Sequence, residues 1–107
     1  MAANATAGDF YKTSTTPGTP VALGASTVRF HALTLHGYKS AGTANTSDVK
    51  FRPTGGSGWI TIPTETSWTV PIPEGCQLDA SQFEIDVATS GDGVLATYFS
   101  KQLYTGA

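Results

Sequence analysis

The sequence predicts an all-β fold: a single antiparallel β-sandwich of about seven strands, jelly-roll or Ig-like, with an extended N-terminal arm. Short segments in which apolar and polar residues alternate recur along the chain, and this period of two is typical of half-buried strands. Clusters of Gly, Pro, Ser and Asp separate these segments, and no segment has apolar residues at helical spacing. A chain of 107 residues has the usual length of one domain and can bury one core.

The predicted strands follow one another with short turns between them. They cover residues 20–24, 27–38, 48–52, 59–62, 67–73, 82–88 and 94–100. The sixth is the most regular, because its apolar residues alternate with Glu84 and Asp86. In the second, the alternation predicts that Phe30 and Leu33 lie on opposite faces. Pro71 lacks the N–H that an interior strand needs, so the fifth is predicted to be an edge strand or to carry a bulge.

The two ends of the chain differ from the regular segments. Ala, Thr, Ser, Gly and Pro dominate residues 1–19, which favours an extended arm. We therefore predict an arm over residues 1–19 and a sandwich domain over residues 20–107 that ends in a short tail. Large apolar side chains near both ends are candidate contacts with a neighbouring chain: Phe10, Tyr11, Leu103 and Tyr104.

Composition and charge exclude several classes of function. Charged residues make up 13% of the chain, against ~25% in ordinary soluble domains, and such a surface suits contact with other subunits. The net charge is −2 and the basic residues are scattered, so no direct nucleic-acid binding is expected. The N-terminus has no signal-peptide pattern, and no apolar run approaches the ~18–20 residues of a membrane helix. We expect a soluble protein made in the cytosol of its producer.

No catalytic, metal or cofactor site is predicted from the polar residues. Glu84 and Asp86 share one strand face, as a hydrolase pair would, but alternating acids usually form a solvated face. Asp92 lies in a Gly-Asp-Gly turn, which accounts for it without a calcium ion. His31 and His36 are separated by an odd number of residues, so they are predicted on opposite faces of one strand.

The single cysteine and the two tryptophans complete the set of candidates. Cys76 is expected to be a buried or half-buried small apolar residue. Trp59 and Trp68 flank a turn and are possible neighbours across a hairpin. If they are exposed together they are candidates for stacking on a sugar, and if they are buried they belong to the core.

Several segments in order resemble a known group of proteins. They are Thr-Pro-Val-Ala-Leu from residue 19, the long strand segment from residue 28, Asp-Val-Lys-Phe-Arg-Pro from residue 48, Val-Pro-Ile-Pro-Glu-Gly from residue 70, and residues 83–99. This series is similar to small β-sandwich cement, decoration and auxiliary head proteins of tailed bacteriophages. The resemblance implies a virion protein that clamps capsid subunits, without catalysis, as a homo-oligomer or in a symmetric array. It transfers no functional residue, and a carbohydrate-binding module that uses the tryptophans is the alternative.

Overall fold

The computed structural model describes residues 3–103 of the chain, with side chains from residue 6 to residue 100. It contains twelve strands and one short 3-10 helix at Ala80–Gln82. The strands are β1 (Ala3–Thr13), β2 (Val21–Ala22), β3 (Arg29–Phe30), β4 (Ala32–His36), β5 (Tyr38–Ser40), β6 (Thr43–Ala44), β7 (Val49–Pro53), β8 (Ile60–Ile62), β9 (Ser67–Val70), β10 (Leu78–Asp79), β11 (Phe83–Val87) and β12 (Gly93–Leu103). Over residues 3–103, no helix has the length and apolar character needed to cross a bilayer.

The strands form two four-stranded antiparallel sheets and two small ribbons. The first sheet has the order β1-β12-β4-β9, and the second has the order β2-β11-β7-β8. Strands β10 and β3 form one two-stranded ribbon, and β5 and β6 form the other. The all-β prediction is therefore confirmed, and all the strand pairs are antiparallel.

A single hydrophobic core joins the two large sheets. The alternation read from the sequence determines which residues enter it, because successive side chains of a strand point to opposite faces. Phe51 stacks on Phe83 with ring centroids 5.1 Å apart, and Phe83 lies 6.2 Å from Phe30. The buried apolar residues are Leu23, Phe30, Leu33, Leu35, Val49, Phe51, Ile62, Val70, Ala80, Phe83, Ile85, Val87, Val94 and Ala96.

The predicted count of about seven strands is too low, partly because residues 27–38 do not form one strand. They are divided among β3, β4 and β5, with breaks at His31 and Gly37. The break at His31 shifts the alternation, so Phe30 and Leu33 are both buried, contrary to the prediction that they lie on opposite faces. At Gly37 a side chain has no room, since a Cβ would lie 2.5 Å from the carbonyl oxygen of Pro63.

Residues 3–13 of the segment predicted as an N-terminal arm form β1, which is a strand of the first sheet. All 11 residues of β1 pair with β12, from Ala3 opposite Leu103 to Thr13 opposite Gly93. Strand β4 pairs with β12 only over Leu95–Phe99. The first residues of β1 and the last residues of β12 therefore pair with each other as a two-stranded ribbon that extends beyond the rest of the sheet.

Candidate functional site

The outer surface of the first sheet is the best candidate for a binding surface. We call it the open face, and its described side chains include Ala7, Asp9, Tyr11, Ala32, Thr34, His36, Ser67, Thr69, Leu95, Thr97 and Phe99. They point away from the core, because the side chains at the alternate positions are buried. Those buried residues are Val94, Ala96, Leu33, Leu35 and Val70. Asp9 is the only side chain among them with a fixed formal charge.

A hydrogen-bond network fixes the polar side chains of the open face. His36 contacts Ser67 Oγ through Nδ1 at 2.6 Å and Thr97 Oγ1 through Nε2 at 3.0 Å. Thr34 Oγ1 lies 3.0 Å from Thr69 Oγ1 on the neighbouring strand. Because these groups are already ordered, a molecule that binds here has less side-chain entropy to remove.

Two exposed aromatic residues stand on this polar background. Phe99 is 54% exposed and Tyr11 is 42% exposed, and they are the exposed large hydrophobic residues among the described side chains. Phe99 is opposite Ala7 on one side and Ala32 on the other, so small neighbours leave its ring uncovered. Exposed aromatic residues on a surface with little charge are typical of protein interfaces.

The outer surface of the second sheet has the opposite character. Glu84 and Asp86 on β11 face Arg52 and Lys50 on β7, and the Arg52 Nε donates to Glu84 Oε2 at 2.6 Å. Thr61 follows on β8, opposite Lys50. We call this surface the charged face. Its alternating opposite charges are typical of a solvated sheet surface. The alternation of Glu84 and Asp86 in the sequence indicates the same kind of surface.

The predicted terminal contacts divide into different environments. Phe10 points toward the core and lies 6.0 Å from the ring of Tyr98, so it covers the end of the core. Tyr11, its neighbour in sequence, is on the open face. The backbone of Leu103 pairs with Ala3, whereas Tyr104 lies outside the described residues.

The two tryptophans do not share a surface. Trp59 lies on the charged face, with the guanidinium carbon of Arg52 at 4.0 Å from its ring centroid. Trp68, on β9 of the first sheet, points inward and lies 5.8 Å from Phe51. Strands β7 and β8 form a hairpin, but β8 and β9 belong to different sheets, so the possible Trp59–Trp68 hairpin contact does not form.

An apolar cleft opens between the sheets beside Trp68. It has a volume of about 260 Å³, and almost all of its lining is apolar. The residues around it are Phe51, Pro53, Ile60, Trp68, Val70, Pro71, Leu78 and Phe83. The cleft lies where the short edge strands β8 and β9 leave the core incompletely covered. Pro71 ends β9 at this edge, in agreement with the predicted edge position of that segment.

Asp92 has a structural role that its Gly-Asp-Gly turn does not indicate. Its side chain is fully buried, and it accepts hydrogen bonds from the backbone N–H groups of Thr46 at 2.9 Å and Ser47 at 2.8 Å. Lys39 Nζ lies 3.7 Å from the same carboxylate. Asn45, also buried, bonds both the N–H and the carbonyl of Gly93. Together these contacts clamp the segment after β6 to the loop before β12.

The other polar candidates are not grouped. Asp86 accepts from the N–H of Gly18 at 2.9 Å, while Glu84 is engaged with Arg52. Among the residues that the structure describes, no three His, Cys, Asp or Glu side chains come close enough to hold a metal ion. Cys76 is exposed, contrary to the expectation of burial, because it lies in the turn after Pro73 and outside both large sheets.

Comparison with known proteins gives no relative: no protein family, curated protein or solved structure matches the chain.

Proposed function

We propose that this chain is a non-enzymatic structural protein of a virus particle. It binds a capsid shell through the open face, as a cement, decoration or minor virion protein. The occupant of the open face is a capsid subunit, and the charged face remains toward solvent. In this proposal the protein stabilises the shell by bridging its subunits, and repetition across a symmetric array multiplies contacts that are individually weak.

The order of the strands supports a jelly-roll sandwich for this domain. Eight strands make up the two large sheets, and in chain order they are β1, β2, β4, β7, β8, β9, β11 and β12. The first and last of these are neighbours in one sheet, and the second and next-to-last are neighbours in the other. Such nesting of early with late strands is the pattern of a double Greek key, and jelly rolls of this kind occur in viral capsid and lectin domains.

The observation that carries the proposal is the contrast between the two outer surfaces. The open face presents Phe99 and Tyr11 among hydroxyl groups, while the charged face presents Lys50, Arg52 and two acids. Interface cores are depleted in charge and enriched in aromatic residues, and solvated faces are not. Two charge-poor surfaces also lose less hydration free energy on contact than charged ones do.

The glycan-binding alternative has less support. A sugar platform needs aromatic rings exposed side by side, whereas Trp59 is covered by Arg52 and Trp68 is directed into the cleft between the sheets. The jelly-roll order is equally compatible with lectins, so binding to a glycan array is the appropriate check. If the protein binds a glycan and Trp59→Ala or Trp68→Ala abolishes that binding, the alternative is favoured.

The proposal is tested on virus particles purified from cells that carry the coding sequence. We expect the protein to co-purify with the major capsid protein in a fixed ratio through density-gradient centrifugation. Particles that lack the protein should recover it when the purified protein is added. Absence of the protein from the particles, together with failure to rebind, would overturn the proposal.

A matched pair of variants locates the binding surface. Phe99→Glu adds one negative charge to the open face, and Thr61→Glu adds the same charge to an exposed position on the charged face. We expect the first variant to lose particle occupancy at least tenfold and the second to bind like the unaltered protein. If Thr61→Glu loses occupancy and Phe99→Glu does not, the protein does not dock through the open face.

A further inference from the structure

The free edge of β1 differs from every other edge of the two large sheets. β1 contains 11 residues, whereas the edge strands β9, β8 and β2 contain 4, 3 and 2 residues. Proteins protect sheet edges with short strands, prolines, bulges or charges. β1 contains no proline, its pairing with β12 is unbroken, and its only charged residues are Asp9 and Lys12.

The hydrogen bonds next to β1 indicate which of its backbone groups face outward. Ser14 donates to the carbonyl of Asp92 at 3.0 Å and accepts from the N–H of Gly91 at 2.8 Å, so it is bonded toward the β12 side. In an antiparallel strand the backbone groups of successive residues point alternately to the two sides. The odd-numbered residues of β1, including Ala7, Asp9 and Tyr11, therefore direct N–H and C=O toward the free edge.

We propose that this edge binds β1 of a second copy of the chain, in an antiparallel pair whose two-fold axis passes beside Gly8. The two first sheets then join into one continuous sheet of eight strands. This inference does not depend on the virion role. A second copy is the occupant because, within residues 3–103, none of the other large-sheet edges is long enough to match β1, and an isologous pair closes without leaving a free β1 edge.

The register follows from length and charge. A two-fold axis in an antiparallel pair places each residue opposite one of the same parity, and centring on Gly8 pairs the whole range of β1. Asp9 is then opposite Ala7 of the second copy, and Lys12 is opposite Asn4 of the second copy. Centring on Asp9 or on Lys12 would shorten the pair and place like charges directly opposite. The small residues Ala7 and Gly8 at the centre permit close approach of the two backbones.

Sedimentation equilibrium and amide hydrogen exchange test the pairing on the full chain. We expect a concentration-dependent increase from the monomer mass of 11.1 kDa to twice that value. The amides of Ala7, Asp9 and Tyr11 should exchange more slowly as the dimer forms, while that of Phe10, which faces β12, is slow throughout. A monomer at every concentration up to about 1 mM, assembly beyond a dimer, or a dimer with unprotected odd-numbered amides would each overturn the proposal.

Substitutions at Ala7 test the register. Ala7 is exposed. In the proposed pair, Ala7 of each copy lies opposite Asp9 of the other copy, so the dimer contains two such contacts, one on each side of the axis. Ala7→Asp should weaken the dimer about fivefold and Ala7→Lys should strengthen it by a similar factor, since each cross-strand charge pair contributes a few tenths of a kcal/mol to about 1 kcal/mol. Ser57→Asp and Ser57→Lys, in an exposed loop, control for net charge. Equal dimer affinities for the two Ala7 variants would overturn the register.

Discussion

Replacing Asp92 with alanine should destabilise the protein far more than removal of an ordinary surface carboxylate. The side chain is fully buried between two loops, and its oxygens accept from the N–H groups of Thr46 and Ser47 at 2.9 and 2.8 Å. Lys39 Nζ, at 3.7 Å, supplies the neighbouring positive charge. Asp92→Ala removes both hydrogen bonds and leaves a cavity between the segment after β6 and the loop before β12.

The magnitude follows from the groups that lose their acceptor. Each backbone N–H left without an acceptor in a buried site costs about 1–3 kcal/mol. Thr46 is exposed and Ser47 is half-buried, so water can satisfy part of the loss. We therefore expect Asp92→Ala to lower the free energy of unfolding by about 2–4 kcal/mol, out of the ~5–15 kcal/mol that is typical of a domain. Asp92→Asn keeps the shape of the side chain and one acceptor oxygen, so its free energy of unfolding should lie between those of the unaltered protein and Asp92→Ala.

Urea unfolding followed by tryptophan fluorescence measures this loss. Asp48→Ala is the control, because Asp48 is exposed and its carboxylate accepts only a 3.4 Å bond from the N–H of Thr64. We expect the control to change the free energy of unfolding by less than about 0.5 kcal/mol. If Asp92→Ala costs no more than Asp48→Ala, with an unchanged denaturant dependence, the buried carboxylate does not hold the two loops together.

Two further substitutions test the packing of each sheet. A Cβ at Gly8 would lie 2.5 Å from Tyr98 Cζ, so Gly8→Ala should lower the free energy of unfolding by about 1–3 kcal/mol. Gly58→Ala, where a Cβ meets no atom within 4 Å, is its control in the same thermal unfolding experiment, and equal losses would contradict the role of the ring. Arg52→Ala removes the cation 4.0 Å from the Trp59 ring, so we expect a red-shifted fluorescence emission and a loss of about 1 kcal/mol. An unchanged emission maximum would mean that Arg52 does not cover Trp59 in solution.

The sequence pattern identifies the strands whose alternation is strong. Phe83, Ile85 and Val87 are buried as predicted, because apolar side chains on one face of a strand gain free energy by facing the other sheet. The same pattern fails at His31, where a local break places Leu33 and Leu35 of β4 on the core side together with Phe30. Periodicity carries no signal for such a break, since it depends on the pairing of β4 with strands that are distant in sequence.

Strand β1 and the open face depend on long-range pairing in a similar way. Ala, Thr and Gly dominate β1, so its local composition does not distinguish a paired strand from an arm. Its order comes from pairing with β12, whose residues lie 80 to 100 positions later in the chain than their partners in β1. The position of Tyr11 near the terminus predicts a contact, whereas Phe99 lies within a predicted strand and is not among the candidate contacts. Tyr98 and Phe99 are adjacent in one strand, so their side chains point to opposite faces. Because Tyr98 packs against the core, the alternation places Phe99 on the outer surface.

The most direct test of the docking face is hydroxyl-radical footprinting of the protein, free and bound to the particle. Phe99, which is 54% exposed, should be oxidised readily in the free protein and protected in the bound protein. Trp59, on the charged face, should be oxidised to the same extent in both states. Protection of Trp59 with unchanged oxidation of Phe99 would contradict docking through the open face.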